Sequence, residues 1–412
     1  MLNNENLYLF KFAWRSIRRN AGRSFFIGFS VSLAVVIAVW VVAFFDGLNY
    51  QIERAVVNTN MGFFQLQEKS YAKTTDASHP LEFDPVLAQK LQQPPIRSAS
   101  PELVLDGNIS TPEGAAGLLV LGIEPDLHKN LIPIHHRMIK GAFLAKEDVA
   151  SVIIGQELAE VFKFNPGDQL VLNYQDVNGE LRSELLNIKG VYHYGSKGFE
   201  KRFIYVNQST WQNLYFNHDS GKILFNRIPL MTTDLSSKPE VDKRFKDSGL
   251  EIKTWRNLNP EMAVVLDFHN GIINFFFLII GVTITMTILT PVRMLWQERL
   301  KELRMMNIVG VSSKKFWKIG IFEVFQMIVL SGAFSTIMLV IVIGIQAQTG
   351  ISFESISQGI AVERAGIKIP NIVYPRMSGE QLLITFLFVI FVLSFSYIYS
   401  IYRTLRKLEA NI

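Results

Sequence analysis

The sequence predicts an α-helical membrane protein with four spans in a 1 + 3 arrangement and a large α+β domain on the outer side of the bilayer. Two observations carry this fold class. Four windows, Phe25–Phe45, Gly271–Val292, Val324–Gly350 and Gln381–Tyr402, hold no charged residue. Each is as long as the roughly 20 apolar residues that cross a bilayer. The second observation is charge. Residues 1–24, 293–318 and 403–412 together carry fifteen Lys or Arg against four Asp or Glu, and the rest of the chain is left with an acidic excess. Basic flanks collect on the cytoplasmic side of a membrane. Both termini and the loop 293–318 are therefore expected inside, and everything between the first two spans outside.

The elements follow in order. Residues 1–24 are expected to form a cytoplasmic amphipathic helix in which Leu7, Phe10, Trp14 and Ile17 recur at helical spacing. Trp14, Arg15, Arg18 and Arg19 are its expected membrane-interface residues, the ring at headgroup depth and the guanidinium groups toward phosphates. The first span, 25–47, is preceded by about 24 residues, is longer than an ordinary signal h-region and is followed by no small-x-small cleavage site, so it is expected to stay as an anchor. Residues 48–266 turn β-rich. "GFFQLQ" (Gly62–Gln67) and "DQLVLNY" (Asp168–Tyr174) read as strands, and "DPVLAQKLQQ" and "GQELAEVFKF" as short helices. The turn signals "PEG", "NPGD" and "VNGE" separate such runs. A second span, 267–292, then a cytoplasmic loop, 293–318, a third span, 319–348, an outer loop, 349–379, a fourth span, 380–402, and a cytoplasmic tail, 403–412, complete the chain.

Composition excludes several chemistries. Without cysteine there is no disulfide and no thiolate metal site. No G-x-x-x-x-G-K-[ST] motif is present to cradle a nucleotide. His128, His135 and His136 lack helical metal-ligand spacing and read as residues of a solvated polar loop. No catalytic set, cofactor site or metal site is expected, and the net charge of +5 reflects topology, with no nucleic-acid partner.

The charged block between the second and third spans is the informative stretch. In "WQERLKELRMMNIVGVSS", Leu300, Leu303 and Met306 recur among Glu298, Arg299, Lys301, Glu302 and Arg304, the pattern of an amphipathic helix. Gly310 is placed to end it, since a left-handed terminal residue is cheap only for glycine. Ser312 or Ser313 is placed to cap the next helix. On this pattern alone, a docking element and an ordinary positive-inside loop are equally good readings. Glu323, just inside the third span, is an ionisable group at shallow membrane depth and defaults to a functional expectation.

This block resembles the coupling segment of the ABC-transporter permeases typified by FtsX, MacB and the lipoprotein-releasing (LolC/LolE-like) Lol subunits. Glu302, Leu303, Met306, Val309 and Gly310 match their pattern; Arg304, Asn307 and Val311 depart from it. "NMGFFQLQEKSY" is similar to the stretch after the first span of Lol-type permeases, with Phe63 in place of His. "SPELVLDGNIS" and "LLVLGIEPD" resemble a strand pair of the family, Glu102 standing where Arg is common. "IKGAFLAKEDVASVIIGQELAEVFKFNPGDQLVL" has the family's order of Gly, Ile-Gly-x-x-Leu-Ala and Pro-Gly-Asp. The resemblance implies a MacB-like (type VII) ABC permease fold with a periplasmic core domain, in the bacterial inner membrane. It implies an ATPase-coupling role for Glu298, Arg299, Leu300, Glu302, Leu303, Met306 and Gly310, and a coupling or structural role for Glu323. Two copies of a cytoplasmic ATPase would bind ATP and magnesium, and a second permease chain, identical or related, would complete the membrane unit. A periplasmic lipoprotein or adaptor and membrane lipids are the other implied partners. The expected function is lipoprotein release from the inner membrane, with MacB-like efflux through an adaptor or FtsX-like control of a cell-wall hydrolase as alternatives.

Overall fold

A computed structural model of the protein describes residues 4–19, 21–298, 302, 305–306, 308–352, 363–364, 367–368, 371–376 and 379–409. The chain divides into a helical unit (residues 1–50, 266–355 and 372–412) and a sheet unit (51–265 and 356–371).

The long helices are α1 (Asn4–Arg19), α2 (Ala21–Val56), α3 (Pro260–Glu298), α4 (Ser313–Thr349) and α5 (Gly379–Glu409). Among the described residues, three segments are long and apolar enough to cross a membrane: Ser24–Met61, Pro260–Thr283 and Lys314–Thr349. The window expected as a fourth span falls within α5. At 36, 39 and 37 residues, α2, α3 and α4 are each roughly 55 Å long, well beyond a hydrocarbon core of roughly 30 Å. The helices therefore outrun the apolar windows seen in the sequence.

The helical unit closes around Val31, Val35, Val39, Phe316, Val324, Met327 and Tyr397, which form one buried cluster. One hydroxyl ties α2 to α4. Ser32 Oγ lies 2.8 Å from Gly28 O on its own helix and 3.0 Å from Ser331 O on α4. After α4, Ile351–Ser352 pair antiparallel with Ile372–Val373.

The sheet unit is built on eleven strands: β1 (Phe64–Gln67), β2 (Ser98–Ala99), β3 (Glu102–Thr111), β4 (Gly114–Ile123), β5 (Met138–Gly141), β6 (Ser151–Gly155), β7 (Gln169–Gln175), β8 (Leu181–Tyr192), β9 (Phe203–Asn207), β10 (Arg227–Met231) and β11 (Glu251–Thr254). They run in the order β11-β1-β10-β3-β4-β9-β6-β8-β5, with β2 on β10 and β7 bridging β3 and β8. The β4–β9 and β6–β8 pairs are parallel and the others antiparallel.

Both faces of the sheet are covered, which explains its near-continuous apolar runs. On β3 and β4, Leu103, Leu105, Leu118 and Val120 enter one core with Ile154, Leu158 and Trp211. Their alternates, Val104, Leu121 and Ile123, enter the other with Ile153, Tyr192, Phe199 and Tyr205. Side chains alternate faces along a strand, so one run serves both layers.

The expected short helices are observed at Pro85–Leu91, where the Asp84 carboxylate accepts from Leu87 N (2.6 Å), and at Gln156–Phe162. In "NPGD" the Asp168 carboxylate accepts from Asn165 N (2.7 Å), and Gly167 supplies φ +97°. Gly155, the glycine of Ile-Gly-x-x-Leu-Ala, has another reason to lack a side chain. A Cβ there would stand 2.2 Å from the Glu200 carbonyl oxygen, because the helix Lys197–Arg202 presses on the end of β6. Gly155→Ala is expected to destabilise the sheet unit by about 1–3 kcal/mol through overpacking, read as a lower thermal midpoint for the full chain.

Candidate functional site

Two constellations stand out, one in each unit. In the helical unit, α1 lies along the start of α4. Phe10 meets Phe322 edge-on at 5.7 Å between ring centres. Gln326 Nε2 donates to Phe10 O (3.0 Å), Lys318 Nζ to Asn6 Oδ1 (3.2 Å), and Lys315 pairs with Glu5 at 3.2 Å. Ala13 is fully buried, while Trp14, Arg15, Arg18 and Arg19 are exposed. Trp14 and Arg18 line an apolar cavity of about 360 Å³ with Phe25, Phe29 and Phe334.

The segment before α4 is anchored at two points. Arg19 Nη2 donates to Glu302 Oε1 at 2.5 Å, tying the end of α1 to this segment. Gly310 adopts φ +93°, and Val311 N reaches back to Met306 O at 3.0 Å. This is the left-handed termination expected of glycine. Ser312 takes the N-cap position of α4 but makes no side-chain cap bond there; Lys315 N instead reaches the Ser312 carbonyl at 2.9 Å.

The structure changes which apolar residues face outward. Met306 packs against the helical core beside Val311 and Trp317. Met305, Ile308 and Val309 are the open ones, the last two more than four-fifths exposed. Arg299, Leu300 and Leu303 lie outside the described residues, and Glu298 closes α3. Glu323 is buried, not at a surface that reaches solvent.

In the sheet unit, Glu102, at the start of β3, is wholly buried. Arg227 at the start of β10 donates through Nε to Glu102 Oε2 (2.8 Å), and its Nη2 lies 2.7 Å from the same oxygen. His128 Nε2 lies 3.3 Å from Glu102 Oε1. The His128 ring meets Tyr205 edge-on at 5.4 Å, and the Tyr205 hydroxyl accepts from Asn60 Nδ2 (2.7 Å). Burial holds the Tyr205 hydroxyl well above the usual phenol range. Burial alone lowers the Arg227 guanidinium, but the Glu102 charge outweighs it and raises it. A buried guanidinium held by a carboxylate in this way is a structural clamp across two strands.

Sequence reasoning missed this group. His128 is no solvated-loop residue: it ends the helix Pro125–His128 and is fully buried. His135 and His136 stand apart from it on the 3-10 turn Ile134–Arg137, their rings 3.9 Å apart. The one available signal was Glu102 itself, an acid heading the apolar run Leu103–Leu105.

The class defined by these features is a membrane protein with long apolar helices and a large mixed α+β domain. More specifically, the sequence matches the MacB-like periplasmic core domain over residues 24–247, more than half of the 412-residue chain. The chain belongs to that family, the FtsX/MacB-type permeases of ABC transporters. Among solved structures it is similar to the periplasmic region of MacB from Actinobacillus actinomycetemcomitans, at 11% identity and TM-score 0.32, over 48% of this chain and 92% of that one. It is also similar to the extracellular domain of the noncanonic ABC-type transporter YknZ from Gram-positive bacteria, at 12% identity and TM-score 0.32, over 47% of this chain and 98% of that one. No curated protein matches the sequence.

Proposed function

We propose that this chain is the membrane subunit through which a separate cytoplasmic ATPase drives movement of the outer domain, and that the work done is release of lipoproteins from the inner membrane. The observation that carries the coupling role is the exposed apolar set Met305, Ile308 and Val309, held between the Arg19–Glu302 pair and the Gly310 turn. Exposed aliphatic side chains beside a fixed turn suit docking into a partner's groove. The ATPase, in two copies, would bind ATP and magnesium; this chain would bind neither. A second permease chain would complete the helical bundle.

Force then travels along rigid helices, a hinge or shear movement between two arrangements. Both termini and residues 293–318 face the cytoplasm in this scheme, as the basic flanks favour. Glu323, buried near the start of α4, takes a coupling role. Lipoprotein release is supported by the likeness of "GFFQLQ", whose last four residues form β1, to Lol-type permeases.

Depletion of the chain tests the cargo. Lipoproteins are expected to accumulate in the inner membrane. Normal lipoprotein sorting with heightened drug sensitivity would favour adaptor-linked efflux, and normal sorting with failed cell separation would favour control of a wall hydrolase.

A further inference from the structure

The sheet unit contains a cavity of about 690 Å³ that the coupling scheme does not use. It opens where β3 changes partner. One edge of β3 is paired with β4 along its whole length, so β10 and β7 must share the other edge. On that edge Glu102 pairs with Arg227, and Gly107 to Ile109 pair with Tyr174 to Leu172. Asn226 extends the first contact with its side chain, accepting from Val104 N (3.2 Å) and donating to Val104 O (3.3 Å). Leu105 and Asp106 are left in the break between the two partners, and both line the cavity.

Most charges around the cavity are spoken for. The Asp176 carboxylate accepts from Arg182 Nε (2.6 Å) and from the backbone of Asn178 and Glu180. Asp76 accepts from Ser78, and Arg227 is held by Glu102. Asp106 and Arg202 differ. Both are exposed cavity-lining residues, and among the described residues neither side chain makes a hydrogen bond or ion pair. They are opposite charges in one cavity that do not neutralise each other.

Their spacing is set by the sheet. Asp106 stands opposite Leu119, and Leu119 opposite Phe203, the neighbour of Arg202. Two strand spacings, roughly 10 Å, separate their backbones. Three extended residues span roughly 10 Å, and the cavity volume lies within the range of small-ligand sites. Tyr71 and Tyr215 add aromatic surface to the lining. We infer that this cavity binds a free peptide of about three residues, its α-ammonium at Asp106, its carboxylate at Arg202 and its central side chain against the tyrosines. The inference is independent of the coupling role.

The test is calorimetric titration of the full chain in lipid nanodiscs with Ala-Tyr-Ala, its N-acetyl form and its C-terminal amide. Saturable binding of the free peptide is expected, with each blocked form bound about tenfold more weakly, the usual worth of a charge-assisted contact. Asp106→Asn is expected to weaken the free peptide by a similar factor and to stop distinguishing it from the acetylated form. Arg202→Gln is expected to lose only the distinction from the amide. The inference is overturned if no saturable binding occurs, or if blocked peptides bind the unaltered chain as well as the free one. It is equally overturned if both variants, with thermal midpoints unchanged, bind as the unaltered chain does.

Discussion

Replacing Ile308 and Val309 together with aspartate is expected to abolish recovery of the proposed ATPase partner with the detergent-solubilised permease, while the permease still inserts and reaches normal yield. The size of the effect follows from burial. Each aliphatic side chain is worth about 1.5–3 kcal/mol when fully covered, and both are more than four-fifths exposed in the free chain. Losing both removes roughly 3–6 kcal/mol from the interface, which is two to four orders of magnitude in affinity. The introduced carboxylates would also be desolvated on docking, which deepens the loss. Met306→Asp supplies the contrast. Met306 packs on the helical core, so its substitution is expected to lower the thermal stability of the permease itself. Undiminished recovery of the ATPase with the Ile308/Val309 variant would remove this segment from the docking surface.

The second large effect lies in the sheet unit. Glu102→Gln is expected to destabilise it by about 3–5 kcal/mol, because it leaves the Arg227 guanidinium buried without a counter-charge. For a domain of this size that amounts to a fall in thermal midpoint on the order of 10 °C. The charge pair is not itself a large source of stability, since its desolvation offsets most of its attraction. Replacing both partners, Glu102→Leu with Arg227→Met, is therefore expected to recover most of the loss. Thermal unfolding of the full chain followed by near-ultraviolet circular dichroism separates the cases. If the single and double variants are equally destabilised, the loss belongs to packing and not to an orphaned charge.

These two regions show where sequence patterns stop being informative. The apolar windows and the strand at Phe64–Gln67 were legible because membrane burial and sheet alternation leave long, local signatures. So was the left-handed turn at Gly310, a property of one residue. The outward face of the segment before α4 was not legible. Met305, Met306, Ile308 and Val309 are all apolar, and only the packing of neighbouring helices decides which of them is covered. Glu102 finds its partner 125 positions away, at Arg227, and nothing local announces that pairing. His128 was misread for a related reason. Its short helix is flanked by polar residues, yet the sheet covers it.

The bond between Arg19 and Glu302 has a further consequence. Both side chains remain substantially open to water, at 66% and 42%, and such pairs are worth at most about 1 kcal/mol. It is a loose latch: an arriving surface with its own arginine or carboxylate can take over either half at almost no net cost. Loss of this pair would release the segment before α4 from the N-terminal helix, while that helix stays seated on α4 through Phe10, Gln326 and Lys318.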